Sequence, residues 1–76
     1  MEELVETIVR SLVDHPDEVS VETVEGDSGV TYEVVVAPGD TGKVIGRGGR
    51  IIQSIRSVVK AAASKTDQRA YVEIIG

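Results

Sequence analysis

Apolar positions recur along this chain first at helical spacing, then in alternation, then at helical spacing again, and finish in alternation. From Glu2 to Asp14, Leu4, Ile8 and Leu12 repeat every four residues with Val5, Val9 and Val13 on the adjoining stripe, which predicts an amphipathic helix. Glu2, Glu3 and Glu6 suit the positive end of its dipole. His15-Pro16 stops it, because the residue before a proline is pushed out of the helical region, and Asp14 to Glu18 reads as a connector. Val19 to Glu25 is β-branched and alternating, Gly26-Asp27-Ser28-Gly29 supplies turn residues, and Val30 to Ala37 alternates again, so an antiparallel hairpin is expected. Pro38-Gly39 ends the second strand, and Asp40 is the expected N-cap of a short helical turn running through Lys43 to Ile45. Arg50 to about Ser64 is a second long helix, with Ile51, Ile52, Ile55, Val58, Val59 and Ala62 apolar, and Arg69 to Ile75 is a last strand. The predicted order is α-β-β-α-α-β, an α+β fold in which helices cover one face of a three-stranded sheet.

Composition narrows the function more than the fold. A chain of 76 residues is one domain, expected to fill residues 1–76. Near this size only ~60% of the unfolded surface is buried, so self-association is expected to add to a marginal core. The absence of Cys excludes disulfides and thiolate zinc sites, and a single His (His15) cannot build a metal site or an ordinary Ser–His triad alone. No cofactor and no metal are expected. No apolar run approaches the ~18 residues of a membrane span, and the opening MEELVETIVR lacks a signal peptide's basic start, so a soluble cytoplasmic protein is the expectation.

The net charge of −5 argues against a nucleic-acid partner until its distribution is considered. Residues 1–40 hold eleven acids and one base, whereas residues 41–76 hold seven bases (Lys43, Arg47, Arg50, Arg56, Lys60, Lys65, Arg69) and two acids. Net charge governs solubility, but a local basic stripe decides where a polyanion docks. The same residues also serve as an ordinary solvated helix face.

The basic half opens on Gly42-Lys43-Val44-Ile45-Gly46-Arg47-Gly48-Gly49-Arg50-Ile51-Ile52. Glycines let a backbone approach a ligand closely, and the helix that follows offers unpaired N–H groups and a partial positive charge. Lys43, Arg47 and Arg50 add full charges there, so phosphate is the indicated guest. Nucleotide-binding templates fail: Gly42-Lys43 is followed by Val44 instead of Ser or Thr, and Ile51 stands where a dinucleotide fingerprint needs its third glycine. What remains is Gly-x-x-Gly between two helices.

In that form the segment resembles the KH family of RNA-binding domains, whose Ile-Gly-x-x-Gly-x-x-Ile signature is met by Ile45, Gly46, Gly49 and Ile52. The element order is that of the type II, bacterial-style KH domain, and the chain as a whole is similar to small single-domain bacterial KH proteins of the KhpA type. Gly48, a third glycine in the loop, is a departure that loosens it. The resemblance implies a non-enzymatic protein whose loop clamps about four nucleotides of single-stranded RNA in a groove. Carried onto this chain, the RNA-binding residues are Lys43, Ile45, Gly46, Arg47, Gly48, Gly49, Arg50, Ile52 and Ile55. The backbone N–H groups of Arg47, Gly48 and Gly49 meet phosphates, and Ile45, Ile52 and Ile55 floor the groove with Val34 or Val36. The three isoleucines fit the core equally well, and can serve as both.

The apolar arc of the second long helix is wider than one small sheet needs, so Val58 with Ala61 or Ala62 is expected at the surface. That face is a candidate dimer face, for a homodimer or for a heterodimer with a larger KH-containing protein as the resemblance implies. A module acting mainly through such a partner is the alternative function.

Overall fold

The computed structural model describes residues 1–75. Six main elements follow the predicted order: α1 (Glu2–Arg10), β1 (Ser20–Gly26), β2 (Gly29–Val35), α2 (Thr41–Ile45), α3 (Arg50–Ser64) and β3 (Ala70–Ile75). Single 3₁₀ turns at Pro16–Glu18, Pro38–Asp40 and Arg47–Gly49 join them. The sheet order is β1-β2-β3. The β1–β2 hairpin is antiparallel and turns through Asp27 and Ser28, whereas β3 runs parallel to β2, with Tyr32 beside Val72. A parallel neighbour requires a crossover, and the α2–α3 segment supplies it.

Alternation along the strands gives the sheet two different faces. Tyr32, Val34 and Val72 point inward and are buried with Val5 and Val9 of α1 and Ile52, Ile55 and Val59 of α3. The opposite face carries no helix, and Val24, Val35, Tyr71 and Ile75 are exposed. The expected single covered face is therefore present.

Several sequence expectations need correction at element ends. The first helix stops at Arg10 instead of Asp14. The Ser11 hydroxyl donates to the Ile8 carbonyl at 2.6 Å, and the Leu12 N–H closes back three residues onto Val9. Such local side-chain bonding competes with helix continuation. Its buried residues are Val5 and Val9, while Leu4 lies at the surface and Ile8, Leu12 and Val13 pack at the core's margin. The second strand ends at Val35, and Val36 and Ala37 continue into the core without strand pairing.

Asp40 occupies the expected N-cap position of α2, but its side chain makes no cap hydrogen bond there. Its carboxylate is 1% exposed and accepts hydrogen bonds from the His15 backbone N–H (2.9 Å) and the His15 ring Nδ1 (3.1 Å). This clamp joins the connector after α1 to the turn that begins α2.

Candidate nucleic-acid interface

The glycine segment forms a sharp joint between α2 and α3. Gly46 has φ 79° and ψ 173°, a conformation essentially reserved for glycine. A Cβ placed there would lie 2.6 Å from the Ile51 side chain, so the residue is fixed by packing as well as by backbone. Gly48 and Gly49 follow with φ of 64° and 75°, and Gly49 is the N-cap of α3 without any side-chain cap. The amino end of a fifteen-residue helix thereby opens at this joint with no side-chain cap on it.

The candidate residues separate on this geometry. Arg47, Gly48 and Arg50 are exposed, as is Ile45 at the end of α2. Ile52 and Ile55 are buried, and so are Val34 and Val36. They underlie the loop and α3 and do not form an open floor. Of the three loop N–H groups expected to meet phosphate, that of Gly49 is already donated to the Gly46 carbonyl at 3.2 Å.

Lys43 is drawn away from the expected phosphate site. Its Nζ lies 3.0 Å from an Asp14 carboxylate oxygen and 3.5 Å from Asp40 Oδ1. The hydrogen bond and charge of Asp14, with a smaller contribution from Asp40, hold its pKa above the ordinary lysine value. Among the described residues Arg47, Arg50, Arg56, Lys60 and Arg69 are in no ion pair. With Lys65, which is exposed just past α3 and likewise in no ion pair, these are the cations available to a polyanion.

Three of them frame a cleft that follows from tertiary structure. β3 is an edge strand, and α3 passes beside it. Between them lies a cleft of about 820 Å³ lined by Arg56, Lys60, Gln68, Arg69, Tyr71 and Val72, among others. Arg56 Nε donates to the Val72 carbonyl at 3.3 Å, which holds the guanidinium against the strand edge. Arg56 and Lys60 stand one turn apart on the helix that starts at the glycine joint. The cations therefore continue from the loop along α3 into the cleft. Sequence reasoning placed Arg56, Lys60 and Arg69 in the basic half without the cleft, which exists only once α3 and β3 lie side by side.

On the outer side of α3, Val58 is 48% exposed, Ala61 is exposed and Ala62 is half-buried. The surface expectation for that face is met at Val58 and Ala61.

Comparison with known proteins agrees with this architecture. A family model described as the KH domain of KhpA and KhpB matches residues 2–74. The RNA-binding protein KhpA of Clostridium acetobutylicum is 56% identical over 75 residues, covering 99% of this chain and 100% of that protein. The protein of the same name from Caldanaerobacter subterraneus is 55% identical with the same coverage. Its counterpart in Listeria monocytogenes is 47% identical, covering 99% of each chain.

Proposed function

We propose, for a chain that belongs to the KhpA/KhpB family of KH domains, a non-enzymatic role in binding single-stranded RNA. The observation that carries the reading is the Gly46–Gly49 joint, which sets the uncapped amino end of α3 beside Arg47 and Arg50. Phosphate oxygens are drawn to that end by the helix dipole and by both guanidinium groups. The N–H groups of Arg47 and Gly48 supply the backbone contacts, and about four nucleotides are held. The strand then runs along α3 toward Arg56 and Lys60. A clamp that holds about four nucleotides chiefly by their phosphates carries little sequence information, so sequence preference is modest.

The outer face of α3 at Val58, Ala61 and Ala62 pairs the chain with a second copy or with a larger KH-containing protein. An exposed valine flanked by alanines on a helix of a domain this small supports that role. Light scattering at high concentration tests the homodimer, and a strictly monomeric mass counts against it.

The RNA reading is tested by fluorescence anisotropy of labelled short single-stranded RNA with wild type and the double substitution Arg47→Asp, Gly48→Asp. Gly46 and Gly49 still shape the turn in that variant. Binding by wild type and none by the folded variant identifies the loop as the clamp. Equal binding by both moves the RNA elsewhere, and no binding by either defeats the proposal.

A further inference from the structure

Aromatic residues are scarce in this chain, with two Tyr and no Phe or Trp, and the fold assigns the two tyrosines opposite fates. Tyr32 is 6% exposed and belongs to the core. Tyr71 is 47% exposed, on the edge strand β3, and lines the cleft together with Arg56, Lys60 and Arg69. A lone tyrosine on a strand surface is ordinary, because the residue suits a pleated surface. A tyrosine lining a cleft that holds three cations in no ion pair against one carboxylate, Glu73, is a different arrangement. Aromatic rings bordered by cations match an unpaired nucleotide, whose base offers a π-face and whose phosphates need neutralising.

We infer that Tyr71 is a base-stacking platform at the end of the RNA path remote from the glycine joint, with Lys60 and Arg69 holding the flanking phosphates. Lys60 is ten residues along α3 from Arg50, about 15 Å at the helical rise. The loop clamp and the tyrosine are thus separate contacts on one strand of RNA. Stacking strength grows with ring area, so a purine is preferred over a pyrimidine at this position. The inference rests on the RNA-binding reading above and adds to it a residue that discriminates between bases.

The test uses the full chain, an eight-nucleotide single-stranded RNA, and the variants Tyr71→Leu and Tyr71→Phe. Tyr71 is exposed, and matched melting curves establish that both variants are folded. Tyr71→Leu should weaken binding by about 5- to 140-fold, the factor equivalent to 1–3 kcal/mol of stacking, while Tyr71→Phe should remain near wild type. Because there is no Trp, tyrosine emission supplies a second readout. RNA should quench the wild-type emission, and Tyr71→Phe, which keeps only Tyr32, should lose that quenching. Wild-type affinity in Tyr71→Leu, or unchanged quenching in Tyr71→Phe, overturns the stacking role while leaving the loop clamp standing. A wild type that binds no RNA overturns the underlying reading instead.

Discussion

The buried carboxylate of Asp40 accepts the backbone N–H of His15, twenty-five residues earlier, at 2.9 Å, and also lies 3.1 Å from that residue's ring. Burial by itself pushes the Asp40 carboxyl upward, but hydrogen bonds from the His15 backbone and ring and from the Asp14 backbone hold its pKa below the ordinary value. The same ring contact, followed by the Asp40 charge, raises the pKa of His15 above the ordinary value. The clamp lies just ahead of α2, the helix that leads into the glycine joint.

Its pH signature follows from the two directions. His15 binds its proton more tightly when folded, so its contribution is full below about pH 6.5 and is lost as pH rises through the folded pKa. Asp40 releases its proton more readily when folded, so its contribution is present above about pH 4 and is lost on further acidification. Melting temperature should therefore be highest near pH 5–6 and fall as pH rises past neutrality. In His15→Gln the alkaline decline should disappear, as differential scanning calorimetry at several pH values would reveal. An unchanged decline in that variant contradicts the assignment.

The contrast between what the sequence discloses and what it hides has the same origin as this clamp. The strands and α3 are legible because their apolar rhythm is continuous, and the glycine joint because its spacing is local. The end of α1 is hidden, since Leu12 and Val13 prolong the helical rhythm while a Ser11 side-chain bond has already closed the helix. Asp40 stands at the N-cap position its local sequence marks, yet its carboxylate is taken by a partner distant in sequence instead of by the helix. Lys43 looks like a phosphate ligand for a related reason: Asp40 stands three residues before it, but Asp14, its nearer carboxylate partner, is brought up only by folding.

Two glycines of the joint should respond differently to substitution. Gly46→Ala meets Ile51 in a backbone region closed to other residues, and should cost roughly 2 kcal/mol, a Tm drop of about 8–16 °C. Gly48 has a left-handed conformation but no atom within 4 Å of an added Cβ. Gly48→Asn should cost under ~1 kcal/mol, because asparagine tolerates that conformation. Urea denaturation of both variants checks the ranking, and a milder effect at Gly46 than at Gly48 would contradict the geometry.

Across the open sheet face, Glu22 is paired with Glu33 and Glu33 with Glu73. Like charges directly opposite one another are unfavourable, and none of the three has a described ion-pair partner. Replacing the central member, Glu33→Thr, relieves both pairs and puts a β-branched residue in the strand. We expect a gain of about 0.5 kcal/mol, or roughly 2–4 °C in Tm, shrinking as salt screens the repulsion. A gain independent of salt would assign the effect to strand propensity alone.

Salt dependence of RNA affinity separates the cations that meet phosphate from those spent inside the fold. For single-stranded nucleic acid, log affinity falls against log salt with a slope of about −0.7 per neutralised phosphate. Arg50→Gln removes an unpaired charge at the head of α3, so the slope should become shallower by about 0.7. Lys43→Gln removes a charge already held by Asp14 and Asp40, so the slope should stay near wild type. The lost contacts should appear instead as a lower melting temperature. Anisotropy titrations across salt concentrations distinguish the two variants. Equal flattening in both would mean that Lys43 leaves its carboxylates for the RNA, and the ion pairs would then be a resting arrangement that RNA binding breaks.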